Sequence, residues 1–82
     1  MTIMNKHDNE LAECVQRAMD GYFQDLDGEP AAGVYEMVLA CVERPLLEKV
    51  LHYAQGNQTR AAEYLGMNRN TLRKKMAQYD LQ

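Results

Sequence analysis

The sequence has few cysteines, no long apolar run and no leader-like start, and each absence excludes a class of protein. Two cysteines among 82 residues are too few for the disulfide framework of a small secreted domain. The longest apolar run, Met37 to Val42, has six residues, whereas a membrane-spanning helix needs roughly 20. No basic start precedes an apolar stretch with a small-residue cleavage site, so no secretory signal is expected. We therefore predict a soluble, cytoplasmic protein with reduced thiols.

Residue sets for catalysis or metal binding are also missing. No Ser-His-Asp or Cys-His set occurs, and a core of short helices offers no deep pocket, so we predict that the chain is not an enzyme. His7 and His52 have no second ligand at zinc-binding spacing. The carboxylates from Asp25 to Glu36 echo a calcium loop, but Pro30 occupies the sixth place, where glycine is required. The sequence thus predicts neither a cofactor nor a metal site.

Charge is distributed unevenly along the chain. Residues 1–54 contain four Lys and Arg against ten Asp and Glu, a net charge of −6, whereas residues 55–82 contain five against two, a net charge of +3. Within Arg69–Lys75 four side chains are positive and none is negative. Such asymmetry is typical of a module whose basic end binds a polyanion while its acidic body is repelled. On charge alone, a solvated helix face is an equally good explanation.

The first predicted element is an amphipathic helix. Apolar residues recur every three or four positions from Leu11 to Leu26, as on one face of a helix. Asn9 can cap the start of this helix, and Gly28 lies just past its last apolar position. We interpret residues 1–10, which are polar and without pattern, as a flexible N-terminal segment.

The second predicted helix begins at Val34 and is apolar on nearly every side. Such a helix must be covered all round, and one partner helix cannot do that, so we expect a homodimer. Pro45 lies inside this helix, and a stop at Arg44 is the alternative, although the apolar pattern continues towards Gly56. We assign residues 11–56 to dimerisation. The residues expected at the dimer seam are Val34, Met37, Val38, Cys41, Val42 and Leu46.

Two short helices joined by a glycine turn are predicted in the basic part. Asn57 can cap a helix over 58–65, and Asn68 can cap a last helix over about 69–79. Gly66 supplies the left-handed residue that the turn needs. These features together predict a helix-turn-helix. The side chains expected to face inward are Ala61, Ala62, Leu65, Met67, Leu72, Met76 and Tyr79.

The second helix of this unit presents side chains that suit DNA. Its outward residues are predicted to be Arg69, Asn70, Arg73 and Lys74. Arginine can form a bidentate hydrogen bond with guanine, and asparagine can form one with adenine. Lysine and threonine bind phosphate oxygens. Residues 57–82 are therefore the predicted unit that binds double-stranded DNA. The alternative from another class is a protein-interaction dimer whose basic surface contacts an acidic protein.

A known family shares this pattern. The stretch GNQTRAAEYLGMNRNTLRKKM, from Gly56 to Met76, resembles the C-terminal helix-turn-helix of the Fis (factor for inversion stimulation) family of bacterial nucleoid proteins. The resemblance continues upstream through YEMVLACVERPLLEKVLHYAQ and more loosely to Leu11. A related helix-turn-helix forms the C-terminal part of the enhancer-binding activators that work with the alternative sigma factor. A sequence-specific regulator related to their output domain is therefore an alternative function.

The resemblance implies an all-α chain of four helices that intertwines with a second copy. Two recognition helices would then project on one side, closer together than one turn of straight DNA, so that the duplex must bend. The implied function is that of a nucleoid-associated architectural protein and transcriptional regulator. By resemblance, Asn68 and Arg69 contact base edges, and Arg73 contacts a flanking base or phosphate. The DNA-backbone contacts implied are Asn57, Thr59, Thr71, Lys74 and Lys75.

Two further partners are left open by the resemblance. The best-known member of the family activates a DNA invertase through a longer N-terminal arm, whereas ten residues precede Leu11 here. Gln55 stands where that relative has an arginine implicated in contact with RNA polymerase. Contact with a recombinase or with RNA polymerase is therefore an open alternative.

Overall fold

The computed structural model describes residues 7–81, and four α-helices account for most of them. Their bounds are α1 His7–Asp25, α2 Val34–Tyr53, α3 Gln58–Leu65 and α4 Arg69–Gln78. No strand occurs in this range, which confirms the predicted all-α class. None of these four helices combines the length and the apolar character that crossing a bilayer requires. The chain divides into two compact units, of which one ends at Gly33 and the other begins at Val34.

The helix α1 begins earlier than its apolar pattern predicts. It includes His7, so Asn9 lies in the first turn and the prediction that it is the N-cap is wrong. Residues 7–10, which we assigned to a flexible segment, are helical, because they contain no glycine or proline and Glu10 interacts favourably with the positive end of the helix dipole. Residues 1–6 of that segment lie outside the described part. The helix ends before Gly28, whose φ of +91° belongs to the following turn.

The helix α2 runs unbroken through Pro45. The alternative, a helix that ends at Arg44, is therefore wrong. Proline removes one backbone donor, but the apolar residues beyond it repay this loss, since Leu47 and Leu51 are buried in the core. After the helix, the amide of Gly56 donates to the carbonyl of Leu51 at 2.9 Å and closes the turn.

The helix-turn-helix forms with the predicted caps. The Asn57 Oδ1 accepts a hydrogen bond from the amide of Arg60 at 3.1 Å, and the Asn68 Oδ1 accepts one from the amide of Asn70 at 2.7 Å. Gly66 adopts the left-handed conformation between the two helices, with φ +76°. The bounds of α3 are those predicted, and α4 ends one residue earlier than predicted.

One apolar cluster holds α2, α3 and α4 together. Its buried members are Leu47, Leu51, Ala54, Ala61, Ala62, Leu72, Met76 and Tyr79. Leu65 and Met67, also predicted to face inward, are half-buried against it. Because the end of α2 belongs to this cluster, the predicted boundary near residue 56 does not separate packing units within one chain. The division into dimerisation and DNA-binding segments remains a prediction about the dimer.

The turn at Gly66 yields a stability prediction. A side-chain-bearing residue in the left-handed conformation costs about 1–2 kcal/mol, and a Cβ at Gly66 would meet no atom within 4 Å, so strain is the main cost. We expect Gly66→Ala to lower the free energy of unfolding by about 1 kcal/mol. Urea denaturation measures this change.

Gly21 provides the matched control, because it lies inside α1 and a Cβ there also meets no atom within 4 Å. Gly21→Ala should raise the free energy of unfolding by about 1 kcal/mol, since alanine favours a helix interior. Equal effects of the two substitutions would contradict the assigned conformation of Gly66.

Candidate nucleic-acid interface

The helix α4 buries one side and exposes the other. Leu72 is fully buried, and at about 100° per residue Asn70 and Lys74 lie nearly opposite it. A shallow depression on the exposed side is lined by Asn70, Arg73, Lys74 and Ala77. Three of the outward residues that the sequence predicted therefore share one surface, whereas Arg69 is exposed but does not line this depression.

Three cations on this helix have no acidic partner among residues 9–81, whose side chains the structure describes. Arg69, Arg73 and Lys74 are exposed, and none of them forms an ion pair within that range. By contrast, Arg44 lies 3.9 Å from the carboxylate of Glu48. An unpaired cation can bind an external anion without first breaking a salt bridge, so these three side chains suit a polyanionic ligand.

The starts of α3 and α4 add backbone donors to the same unit. Thr59 and Thr71 lie in the first turns of the two helices and are exposed. Amides of a first helical turn have no carbonyl partner within the helix, and the positive end of the helix dipole favours an anionic oxygen there. Both threonines therefore lie where a phosphate could be held.

The two capping asparagines have only part of their side chains free. In both Asn57 and Asn68 the side-chain oxygen already accepts a backbone hydrogen bond. The amide NH₂ group remains able to donate to a phosphate or a base acceptor. Bidentate pairing with adenine needs both the oxygen and the NH₂ group, so at Asn68 the oxygen would have to accept through its second lone pair while the cap fixes the side-chain orientation.

Asn70 was placed on the outward side by the sequence pattern but given no contact of its own. Its side chain is exposed, and within residues 7–81 it forms no hydrogen bond. Both its oxygen and its NH₂ group are free for the bidentate geometry that adenine requires. Asn70 therefore has its full hydrogen-bonding capacity available, whereas Asn68 already uses one lone pair in its cap.

Lys75 lies apart from the exposed cations. Its Nζ is 2.8 Å from the Oε2 of Glu43, and the side chain is 30% exposed. The hydroxyl of Tyr79 donates to the other oxygen of the same carboxylate, Oε1, at 2.5 Å. An Arg44 Nη2 donates to the carbonyl of Tyr79 at 2.6 Å. The structure thus places Lys75 in a link between α4 and α2, and we do not retain it among the proposed phosphate contacts.

This link was not foreseen from the sequence. Glu43 and Lys75 are 32 positions apart, and each is an ordinary charged residue on its own helix. No local spacing indicates that two such residues meet. The inward prediction for Tyr79, which is 7% exposed, was the single signal that this side of α4 approaches another element.

The link also sets the protonation of its members. The hydrogen bond from Lys75, followed by that from Tyr79, holds the pKa of Glu43 below its usual value. The hydrogen bond to Glu43 raises the pKa of Tyr79 above its usual value. At neutral pH the carboxylate is therefore ionised and the phenol keeps the proton that it donates.

The predicted dimer-seam residues lie on α2 and outside the buried cluster. Val34, Val38 and Val42 are half-buried, whereas Met37, Cys41 and Leu46 are exposed. At about 100° per residue, Val38 lies directly opposite the buried Leu47. An apolar strip therefore runs along α2 on the side away from the helix-turn-helix.

The described residues offer no metal site. No three His, Cys, Asp or Glu side chains between residues 7 and 81 are placed to share an ion. The carboxylates that echo a calcium loop, at Asp25, Asp27 and Glu29, are exposed. Cys14 and Cys41 are free and exposed thiols.

Comparisons with known proteins agree with this geometry. Residues 38–79, from α2 to the end of α4, match a family described as bacterial regulatory protein, Fis family. A Fis-like DNA-binding protein of Ralstonia nicotianae is 53% identical over 73 residues, which cover 89% of this chain and 95% of the relative. A Fis-like DNA-binding protein of Pseudomonas aeruginosa is 49% identical over 81 residues, which cover 99% and 78%.

A third relative bears the family name itself. The DNA-binding protein Fis of Actinobacillus succinogenes is 54% identical over 71 residues, which cover 87% of this chain and 72% of the relative. The matched family consists of regulatory proteins. The prediction that the chain is not an enzyme is thereby confirmed.

The lowered pKa of Glu43 predicts how stability depends on pH. Its link with Lys75 contributes fully above the unfolded-state pKa, usually 4.5, and is lost as the pH falls through the lower folded-state pKa. Glu43→Gln should therefore lower the free energy of unfolding at neutral pH and have progressively less effect below about pH 5. Urea denaturation of both proteins between about pH 7 and pH 3 measures the difference.

Glu63→Gln is the control, because Glu63 is exposed on α3 and its carboxylate forms no ion pair with residues 7–81. Its effect should not vary with pH. A Glu43→Gln effect that is equally constant would show that the ion pair does not stabilise the fold.

Proposed function

The chain belongs to the Fis family of bacterial regulatory proteins, and from this membership we propose that it is a homodimer that binds and bends double-stranded DNA. It would act as an architectural protein of the bacterial nucleoid, in the cytoplasm, and as a regulator of transcription. The observation that carries the proposal is the exposed side of α4, where Arg69, Arg73 and Lys74 have no acidic partner among the described residues.

We assign the contacts according to what each side chain has free. Arg69 and Asn70 would read base edges, because both begin the recognition helix and present unused hydrogen-bonding groups. Arg73 would contact a flanking base or phosphate. The remaining backbone contacts would come from Asn57, Thr59, Asn68, Thr71 and Lys74. Asn57 and Asn68 would donate through their NH₂ groups while their oxygens hold the caps.

The charge distribution supports one orientation on the duplex. Residues 55–82 carry a net charge of +3 and residues 1–54 a net charge of −6. A polyanion attracts the first part and repels the second. The helix-turn-helix would therefore be the part of the chain that faces the DNA.

The apolar strip on α2 supports a second copy of the chain as its occupant. Leu46 is 46% exposed and Met37 is 37% exposed, and three half-buried valines lie between and beside them. An apolar strip on a helix has to be covered to be stable in water. A second copy presents an identical strip. In a two-fold symmetric dimer the strips of the two chains would therefore cover each other.

Salt dependence and one substitution test the DNA-binding proposal. A dimer that neutralises about six phosphates should show log K falling against log[salt] with a slope near −5. Arg69→Ala should cost about 1–3 kcal/mol and relax the preference at one base position. Lys74→Ala is the comparison, since loss of a phosphate contact should weaken binding to every sequence alike. Fluorescence anisotropy on a panel of duplexes measures both.

Three results would count against parts of this proposal. No binding to duplex DNA at low salt would favour a protein-interaction dimer. Equal losses on every duplex for both variants would remove Arg69 from base reading. In a circular-permutation mobility assay, a mobility that does not depend on the position of the site would remove bending and leave a sequence-specific regulator.

The dimer is tested by a charge within the strip. Val38→Asp places a carboxylate opposite the core side of α2, where the second copy would bury it, and should abolish the dimer together with much of the helical structure. Tyr64→Asp is the control, because Tyr64 is 51% exposed on α3 and outside the strip. Analytical ultracentrifugation and circular dichroism measure both variants. A Val38→Asp protein that stays dimeric and folded would contradict the assignment.

A further inference from the structure

The carboxylate of Glu43 on α2 accepts two hydrogen bonds, one from Lys75 on α4 and one from Tyr79 at the C-terminal end of α4. Glu43 uses one oxygen to accept from Lys75 at 2.8 Å and the other to accept from the hydroxyl of Tyr79. The Glu43 side chain is 17% exposed, so water competes little for it. Arg44 adds a hydrogen bond to the carbonyl of Tyr79 at 2.6 Å and lies 5.7 Å from the centroid of its ring.

The hydrogen bonds of this link can fix the rotation of α4 about its own axis, which the apolar cluster does not. Burial of Leu72 and Met76 holds α4 against α3, but the hydrophobic effect is non-directional and tolerates small rotations of a helix about its axis. A charge-assisted hydrogen bond weakens steeply when its geometry changes. Lys75 and Tyr79 are one helical turn apart, so two bonds to the same carboxylate fix the rotation of α4.

Rotation of α4 matters for base reading. With side-chain tips about 6 Å from the helix axis, a rotation of about 10° displaces them by about 1 Å. Arg69 and Asn70 lie on this helix and depend on hydrogen-bond geometry to distinguish bases. A small rotation of α4 would therefore displace the side chains of Arg69 and Asn70 from the positions at which they can hydrogen-bond to bases.

We propose that Glu43 is a positioning residue, which binds Lys75 and Tyr79 to fix the recognition helix α4 relative to the dimerisation helix α2. In the dimer this fixes the separation of the two recognition helices, and with it the half-site spacing and the bend that the protein selects. The inference rests on the proposed function for its role in DNA binding, while the link between the helices can be measured without DNA.

Two variants remove the charge pair from opposite ends. Glu43→Gln keeps the shape and an acceptor for Tyr79, and Lys75→Met keeps the length of the side chain without its charge. Binding is measured on duplexes whose two half-sites are moved apart or together one base pair at a time. We expect the preference for the best spacing over its neighbours to fall at least about threefold in each variant. The double variant should resemble the single ones, because all three lose the same ion pair between Glu43 and Lys75.

Matched controls carry the same chemical changes outside the link. Glu63→Gln removes an exposed carboxylate from α3, and Lys74→Met removes the neighbouring cation on α4. Both should alter affinity equally at every spacing, and Lys74→Met should also reduce the salt slope. The proposal is overturned if Glu43→Gln leaves the spacing preference unchanged. It is equally overturned if Lys75→Met reduces the salt slope as Lys74→Met does, because Lys75 would then bind phosphate.

A DNA-free measurement separates this proposal from the proposed function. Spin labels at Lys49→Cys on α2 and Lys74→Cys on α4, in a chain with Cys14→Ala and Cys41→Ala, report the distance between the helices. Dilution with unlabelled chain restricts the signal to one chain. Glu43→Gln should shift or broaden the distance distribution, and Glu63→Gln should not. Unchanged distances would overturn the link even if DNA binds, whereas absent DNA binding with shifted distances would overturn only the function.

Discussion

Burial of the end of α2 against α3 and α4 is the contact on which the rest of the described structure depends. Leu47 and Leu72 are the largest side chains that it removes fully from water. This burial stabilises the part of α2 beyond Pro45, so the helix is unbroken there. It also brings Glu43 within hydrogen-bonding distance of Lys75. It also commits one side of α2 to the helix-turn-helix and leaves the opposite apolar strip outside the buried cluster. The proposed second copy would cover that strip, so two different neighbours would account for a helix that is apolar all round.

Five of the nine lysines and arginines fall into two groups that composition alone cannot separate. Lys75 and Arg44 are held by hydrogen bonds between α2 and α4 and serve the fold. Arg69, Arg73 and Lys74 have no such partner within residues 7–81 and are free for a ligand. The basic run in the sequence therefore contains one residue whose charge is already neutralised.

Local features were predictable from the sequence because their causes are local. Asn57, Asn68 and Gly66 each act within four residues of their own position, so the caps, the turn and the bounds of α3 could be predicted. The start of α1 was missed, since polar residues without an apolar pattern can still be helical. The partnership of Glu43 with Lys75 was missed as well, because it depends on how two remote segments pack. The proposed contact of Asn70 depends on its unused hydrogen-bonding groups, which the structure shows and the sequence pattern does not.

The short connection after α2 has a mechanical consequence. Three residues form the turn after Tyr53, and the helix before them is packed against the unit that follows, so no hinge separates the two. In the proposed homodimer, each helix-turn-helix would therefore be held firmly on its own α2. The compliance needed for a complex would then have to come from the nucleic acid, and pyrimidine–purine steps, which kink at little cost, would be favoured at positions that no side chain touches.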